Sequence, residues 1–302
     1  MGLRIVYMGT PDFAVPTLER LIEDNQNVVA VVTAPDKPSG RGLKLQSSPV
    51  KDAAVKHNIP VLQPDKLKDE TFVNELKALD ADLFIVVAFR MLPEIVWNMP
   101  KIGTFNLHAS LLPKYRGAAP INWAIINGET ETGCTTFFLK HEIDTGDIIL
   151  QEKELILPED TFETLYNKLK IKGASLVSKT VSIIEGKEYT LLPQIGESIH
   201  APKIYKETGK LDFNESCVLL HNKVRGLYPF PGTYFEYHDK NFKVHLSQYE
   251  ITKHNQPTGT LVTDSKTYIK FACPDGYFEV LEIQAEGKKR LKVKEFFLGN
   301  KI

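Results

Sequence analysis

Cysteine is scarce in this chain, which has three in 302 residues. Cys134, Cys217 and Cys273 are far apart and odd in number, which argues against a disulfide framework and indicates a reducing compartment. Their spacing does not match that of metal ligands, so the sequence predicts three plain packed thiols and no metal site.

Long hydrophobic runs are also lacking. No stretch of about 18 apolar residues is present, and a membrane-spanning helix would need one. The N-terminal segment MGLRIVYMGT enters a strand-like run directly, so we expect no targeting segment, a cytoplasmic location and no membrane partner. The composition, 42% apolar and 25% charged, is ordinary for a globular protein of one large domain or two smaller ones, and we expect a monomer.

The formal net charge of −1 conceals an uneven distribution. Residues 203–302 contain 16 Lys or Arg and 12 Asp or Glu, a charge of +4, whereas the preceding residues carry −5. A basic module attached to an acidic body is one feature of proteins that bind polyanions; a solvated lysine-rich surface is the alternative.

Strand-like and helix-like segments alternate in the first part of the chain. Buried parallel strands are predicted by apolar runs at residues 3–9, 27–33, 82–89 and 103–109. The alternation predicts an α/β fold with a doubly wound parallel sheet. Ligands of such sheets bind beyond the carboxyl ends of the strands.

The last third of the chain has a different pattern. Short alternating segments with turn residues between them predict a small β-barrel. We therefore expect a first domain over residues 1–190, a polar linker over 191–206 and a second domain over 207–302.

The glycine fingerprint of a dinucleotide site is missing. The first strand runs into GTPDFA, residues 9–14, in which Pro11 occupies the turn and the Gly-x-Gly-x-x-Gly spacing is absent. This argues against a nicotinamide- or flavin-dependent oxidoreductase, because a dinucleotide needs small residues there for close backbone approach. Two interpretations remain, a tight turn with Asp12 as helix N-cap and a substrate-binding loop.

Two polar side chains share one face of a predicted strand. Asn106 and His108 alternate along it and lie at its carboxyl end. An Asn amide can stabilise an oxyanion, and a His can move a proton near neutral pH. The segment EIDTGDII offers Asp144, inside a loop, and Asp147, at the next strand, as groups that could orient the His. We predict Asn106, His108 and Asp144 as a catalytic set, with a hydrogen-bonded core histidine as the plainer alternative.

A long polar loop follows the second predicted strand, at residues 33–51. It is either a flexible solvated loop or one that binds nucleic acid, with basic residues on phosphates and a leucine against bases. The candidates in it are Lys37, Arg41, Leu43 and Lys44. A second basic cluster, EGKKRLKVK, lies in the C-terminal module.

These motifs together resemble the methionyl-tRNA formyltransferase family over essentially the whole chain. The resemblance is carried by GTPDFAVPTLERL, PDKPSGRGLKLQSSPVK, NLHASLLPKYRGAAPINWAI, IDTGDI, VRGLYPFPGTYFEY and GKKRLKVKEFFLG. Asn-x-His-x-Ser-Leu-Leu-Pro with a later Asp-x-Gly is shared by all folate-dependent formyltransferases, so it identifies the chemistry. The basic loop and the basic C-terminal module narrow the resemblance to the tRNA enzyme.

The resemblance implies an N-terminal Rossmann-like formyltransferase domain with a parallel sheet and a C-terminal OB-fold-like barrel. It implies 10-formyltetrahydrofolate as formyl donor, no metal, and the α-amino group of methionyl-initiator tRNA as acceptor. The product would be N-formylmethionyl-tRNA for translation initiation. The alternatives are a formyltransferase for a small-molecule amine such as a sugar nucleotide, and a tRNA-binding protein on an inactive scaffold.

Family roles carry over to three groups of residues. The catalytic group is Asn106, His108 and Asp144. The folate group is Ser110, Leu111, Leu112 and Pro113, with Arg90, Met91 and Leu92 from AFRMLP, which is one residue shorter than the Ala-Tyr-Gly-x-Ile-Leu-Pro usual in the family. The tRNA group is Lys37, Arg41, Leu43, Lys44, Lys288, Lys289 and Arg290. Lys114 and Arg116 could face tRNA phosphates, the glutamate tail of the folate, or solvent.

Overall fold

Apolar runs of the first part of the chain assemble into one seven-stranded sheet. The computed structural model describes residues 2–39 and 44–302. The strands are β1 (Ile5–Gly9), β2 (Val28–Val32), β3 (Lys37–Ser39), β4 (Lys44–Gln46), β5 (Val61–Leu62), β6 (Leu83–Val87), β7 (Gly103–His108), β8 (Arg116–Gly117), β9 (Glu131–Phe138), β10 (Ile148–Leu155) and β11 (His200–Ala201). Seven of these strands form the sheet, in the order β10-β9-β7-β6-β1-β2-β5. Strands β5, β2, β1, β6 and β7 are parallel and β9 is antiparallel to β7, which confirms the predicted Rossmann-like sheet.

Helices alternate with these strands along the chain. They are α1 (Val15–Glu23), α2 (Pro49–Lys56), α3 (Glu70–Ala78), α4 (Glu94–Trp97), α5 (Pro120–Ile126) and α6 (Phe162–Gly186). Side-chain caps start two of them, because Ser48 accepts the Lys51 N–H and Asp69 accepts the Thr71 N–H. Within residues 2–39 and 44–302, every helix is too short or too polar to cross a bilayer.

The turn after β1 differs from the capping interpretation. A 3₁₀ turn, Asp12–Ala14, precedes α1, and the Asp12 side chain caps neither element. Its carboxylate instead accepts the Tyr166 hydroxyl at 2.6 Å and lies 3.4 Å from the Lys170 amine. Of the two interpretations left open, the one with Asp12 as N-cap is therefore wrong, since the partners of Asp12 lie on a distant helix.

Two compact units interleave along the chain. The first comprises Met1–Gly117, Thr132–Glu154 and Tyr166–His200, and the second comprises Ala118–Glu131, Leu155–Leu165 and Ala201–Ile302. The predicted boundaries at 190 and 207 stay a prediction.

The second unit is built on a curled antiparallel sheet. Its strands are β12 (Thr233–Tyr237), β13 (Lys240–Ile251), β14 (Leu261–Thr263), β15 (Ile269–Cys273), β16 (Gly276–Ala285) and β17 (Leu291–Lys292), and its further helices are α7 (Cys217–Gly226) and α8 (Val293–Phe297). The order is β12-β13-β16-β15-β14, with β17 on β16. Register shifts in β13 between Val244 and Ser247 mark a bulge, which bends a strand. The half-barrel agrees with the predicted OB-like fold.

Aromatic rings fill the concave side of that sheet. Phe213 stacks on Phe271 with ring centroids 3.9 Å apart, and Phe235 meets Phe271 edge-on at 4.8 Å. The buried Cys217 and Cys273 join the same apolar cluster. Burial raises the pKa of the Cys217 thiol to about 12 and that of Cys273 to about 11, so both stay protonated and pack as small apolar groups.

Candidate functional site

Three strands end side by side at one edge of the first unit's sheet. Gly9 of β1 pairs with Val87 of β6, and Val87 pairs with Leu107 of β7. The motif GTPDFA begins on the last residue of β1, AFRMLP follows β6, and NLHASLLP begins within β7. The fold therefore brings them to the edge where ligands of parallel sheets bind.

Asn106 and His108 project from the same face of β7 at this edge. Asn106 is half-buried, and His108 is only 6% exposed. Among the residues that the structure describes, the Asn106 side chain has no hydrogen-bond partner. Its amide is therefore available to a ligand.

The ring of His108 is oriented by main chain. Its Nε2 lies 2.8 Å from the carbonyl oxygen of Tyr115, which is buried. A carbonyl oxygen only accepts, so Nε2 carries the hydrogen of this bond. Nδ1 is then the ring nitrogen directed towards Asp144.

Asp144 reaches the histidine from the loop between β9 and β10. Its Oδ2 lies 3.9 Å from His108 Nδ1, which is an ion-pair distance and too long for a direct hydrogen bond. The same Oδ2 accepts the Gly117 N–H at 3.0 Å. Asp147, the other acidic candidate, forms an ion pair with Lys140 of the same loop at 2.9 Å.

Gly146 allows this loop to close tightly. A Cβ atom at this position would lie 1.6 Å from the carbonyl oxygen of Phe138. Any side chain would push the loop off β9. Steric crowding therefore requires glycine at this position, two residues after Asp144, which faces His108.

The segment after β7 divides into buried and open positions. The Ser110 hydroxyl donates to Lys114 O at 2.6 Å, and Leu112 packs in an apolar cluster with Phe137. Leu111 and Pro113 are partly exposed. Of the four predicted folate residues in this segment, Ser110 and Leu112 thus shape the turn, and Leu111 and Pro113 offer apolar surface.

The Arg90 side chain is held by main-chain carbonyl groups. Its guanidinium donates to the carbonyl oxygens of Asp65, at 2.9 Å, and Pro64. Its Nε is buried and has no acceptor among the described residues. Burial lowers the pKa of Arg90, while the nearby Asp65 acts in the opposite direction. Met91, the next residue, is 74% exposed, and Leu92 is buried.

The predicted tRNA residues fall in three places. Lys37 is exposed on β3, and Lys44 is on β4. Arg41 and Leu43 lie outside the described residues. In the second unit Lys288, Lys289 and Arg290 are exposed, but Arg290 is engaged by Glu282 and by the Tyr228 hydroxyl at 3.1 Å.

Sequence reasoning missed three groups that hold the catalytic candidates. They are the Tyr115 carbonyl, the Gly117 N–H and the amide of Gln194, which donates to the Asp144 carbonyl at 2.8 Å. Two act through main chain, which every residue has, so no side-chain signal marked them. Arg116, whose role was open, donates to Gln194 Oε1 at 3.0 Å.

The described part of the chain, residues 2–39 and 44–302, contains no group of three or more His, Cys, Asp or Glu arranged to hold a metal ion. Burial raises the pKa of Cys134 to about 12, which keeps this thiol protonated.

Comparison with known families agrees with this geometry. The formyl transferase family model matches residues 3–181, and the model of the formyl transferase C-terminal domain matches residues 203–301. Among solved structures, the sugar 3N-formyl transferase WlaRD, crystallised with dTDP and 5-N-formyl-THF, has a TM-score of 0.69 at 22% identity and covers 96% of this chain and 100% of its own. HypX from Aquifex aeolicus in complex with tetrahydrofolic acid has a TM-score of 0.62 at 17% identity and covers 99% of this chain and 48% of its own. These likenesses show the fold.

Full-length relatives are more similar. The methionyl-tRNA formyltransferase of Bacteroides thetaiotaomicron is 53% identical over 310 aligned residues, covering 99% of this chain and 96% of that protein. Those of Flavobacterium johnsoniae and Alkaliphilus oremlandii are 48% and 43% identical and cover 98% and 99% of this chain, and 96% and 97% of their own. The chain belongs to the methionyl-tRNA formyltransferase family.

Proposed function

We propose that this chain transfers a formyl group from 10-formyltetrahydrofolate to the α-amino group of methionyl-initiator tRNA. The observation that carries the proposal is the meeting of three strand ends, β1, β6 and β7, beside Asn106, His108 and Asp144. Family membership supplies the donor and the acceptor. The acceptor implies action in the cytoplasm, and we propose a monomer.

Asn106 is proposed to stabilise negative charge. Attack by the amine on a formyl carbon moves negative charge onto the formyl oxygen. The Asn106 amide has no partner among the described residues, so its N–H can donate to that oxygen without first breaking a bond in the protein. An oxyanion donor of this kind typically contributes about 10²–10³ in rate.

His108 is proposed to carry the proton that the attacking amine loses to the departing folate nitrogen, whose bond to the formyl carbon breaks when the tetrahedral intermediate collapses. Its Nε2–H stays on the Tyr115 carbonyl, so exchange takes place at Nδ1. When Nδ1 takes up the proton, the ring becomes cationic opposite the Asp144 carboxylate at 3.9 Å. The Gly117 N–H, which donates to the same carboxylate oxygen, keeps the carboxylate in place.

The residues beside this site suit a flat, polar ligand such as a folate. Met91 is exposed, Leu111 and Pro113 are partly exposed, and a flat ring could lie against them. The orphaned Nε–H of Arg90 in the same region matches a ligand rich in acceptors. We propose that Arg90, Met91 and Leu92 with Ser110 to Pro113 form the folate site; the folate supplies the formyl group.

The proposed tRNA contacts rest on exposed positive charge. Lys37 in the first unit and Lys288 and Lys289 in the second are exposed, and none has an acidic partner within the described part of the chain. We propose that they neutralise phosphates. Arg41, Leu43 and Lys44 are proposed from sequence to contact the acceptor end, and Arg290 to support the second cluster.

A panel of acceptors tests this function. The purified chain is incubated with 10-formyltetrahydrofolate and, separately, with methionyl-initiator tRNA, methionyl-elongator tRNA and an amino-sugar nucleotide. We expect formylation of the initiator, far less of the elongator, and none of the sugar. Formylation of the sugar nucleotide alone would assign the chain to the small-molecule enzymes, and no transfer at all would point to an inactive scaffold.

A further inference from the structure

One glutamine closes the loop that carries Asp144. Gln194 Nε2 lies 2.8 Å from the carbonyl oxygen of Asp144 and 2.8 Å from that of Gly146. Its Oε1 accepts two N–H groups of Arg116, Nε at 3.0 Å and Nη2. A carboxamide has two N–H donors and two lone pairs on oxygen, so this side chain is fully used.

The chemistry of its partners fixes the orientation of this amide. A guanidinium only donates hydrogen bonds, and carbonyl oxygens only accept them. If the amide were reversed, its NH2 group would face Arg116 and its oxygen would face two carbonyl oxygens. Arg116 therefore holds Gln194 in the one orientation that binds the Asp144 loop.

Asp144 needs such support because of its backbone. Its φ is 55°, in the left-handed region that costs L-residues energy and persists when the surroundings hold it. Gln194 holds the loop through its main-chain carbonyls. Gly117 holds the carboxylate itself. The two contacts fix the position of Oδ2 opposite His108 from both sides.

We infer that Gln194 is a positioning residue for the Asp144 carboxylate, and that Arg116 sets the orientation of the Gln194 amide. The inference rests on the proposed role of Asp144. Tyr115, Arg116 and Gly117 are consecutive, and they contact the His108 ring, the Gln194 amide and the Asp144 carboxylate in turn. One short segment therefore couples the proton carrier to the group opposite it.

Substitution at Gln194 should change kcat more than KM. Gln194→Glu keeps the size and the contact to Arg116 but places an oxygen against the two loop carbonyls. We expect kcat to fall at least about tenfold, because misplacement of a catalytic group by about 1 Å can cost 10²-fold. KM for the folate and for the aminoacylated tRNA should stay within about threefold, because Gln194 contacts neither in the proposed site.

The chain offers a matched control in the same unit. Gln63 also donates two hydrogen bonds through Nε2, to Ala34 O at 2.8 Å and to Asp36 Oδ1 at 2.8 Å. Gln63→Ala and Gln194→Ala each remove two donated bonds. With saturating substrates, only Gln194→Ala should lower kcat. Equal kcat losses in the two variants, alongside equal losses in thermal stability, would mean that Gln194 is merely structural.

A double-mutant cycle with Asp144→Asn gives the decisive test. If Gln194 acts through the carboxylate, Gln194→Ala lowers kcat at least tenfold in the wild type and less than threefold in the Asp144→Asn background. The same factor in both backgrounds overturns the inference and leaves the proposed function intact. If Asp144→Asn alone keeps normal kcat, the proposed role of Asp144 fails and the inference fails with it. Should Gln194→Ala not fold, Gln194→Glu serves in the same cycle.

Discussion

The His108 ring is fixed by the main chain of Tyr115, seven residues further along, at an Nε2–O distance of 2.8 Å. The Asp144 carboxylate faces the opposite nitrogen at 3.9 Å. These two contacts act on different nitrogens of one imidazole ring. The carbonyl sets the ring orientation, and the carboxylate faces the nitrogen that exchanges the proton in the proposed mechanism. That exchange would leave the bond to the carbonyl intact.

Removal of the Asp144 charge should impair catalysis with little change in binding. Asp144→Asn keeps an oxygen that can accept the Gly117 N–H, so the loop should keep its shape. The imidazolium then lacks its counter-charge. We expect kcat to fall about 10²-fold or more, the usual range for proton-transfer groups. Steady-state kinetics with each substrate varied would reveal a loss confined to KM, which is the opposite of this expectation.

A methyl group at Gly146 should displace the Asp144 loop. The added Cβ of Gly146→Ala would lie 1.6 Å from the Phe138 carbonyl oxygen, a contact that main chain cannot relieve without moving. We expect a loss of kcat comparable with that of Asp144→Asn. Gly299→Ala is the matched control, since a Cβ there meets no atom within 4 Å. Activity assays should show a lower kcat for Gly146→Ala than for Gly299→Ala. Equal activities would show that the loop is not held tightly.

Lys288 and Lys289, two exposed lysines of the second unit, should contribute to the salt dependence of tRNA binding. In the variant with both Lys288→Ala and Lys289→Ala, the slope of log affinity against log salt should decrease by about 2, roughly one per phosphate contact. Arg290→Ala should change that slope less, because Glu282 already neutralises its guanidinium. Filter binding at several salt concentrations measures both. A larger slope change for Arg290→Ala than for the double variant would mean that Arg290, and not the two lysines, neutralises phosphates.

Acid should destabilise the second unit through a half-buried histidine. Burial, and then the nearby Arg225, lowers the pKa of His221 below its ordinary value of 6.5. The unfolded chain therefore binds a proton more readily than the folded one, so this contribution is complete above about pH 6.5 and declines as the pH falls. The free energy of unfolding should decrease by at most about 1.4 kcal/mol per pH unit from this group. Urea unfolding between pH 7 and 5 should show a shallower decline for His221→Gln, and an identical decline would exclude His221 as the cause.

Much of the fold could be predicted because burial leaves a periodic signal. The apolar runs around β1, β2, β6 and β7 predicted the parallel strands of the sheet. The same pattern placed Asn106 and His108 at a strand end, where polar residues have no structural reason to alternate.

The remaining features depend on contacts between distant residues. One interpretation of Asp12 was a local helix cap, whereas its partner Tyr166 lies 154 residues away. The sequence favoured Asp144 over Asp147, but the pairing of Asp147 with Lys140 could not be predicted from it. Gln194 lies in a segment predicted as a linker. A glutamine there has no helical or strand periodicity to mark it, and its function depends on carbonyl groups that every residue carries.

Single-turnover transfer of labelled formyl groups tests the central claim most directly. Enzyme in excess over methionyl-initiator tRNA is mixed with labelled 10-formyltetrahydrofolate, and the rate of label transfer is compared for the wild type, Asn106→Ala and His108→Ala. We predict rate constants at least about 10²-fold lower in both variants, with tRNA affinity unchanged in a parallel binding measurement. Near-normal rate constants in both variants would contradict the assignment of these two residues as the catalytic end of β7.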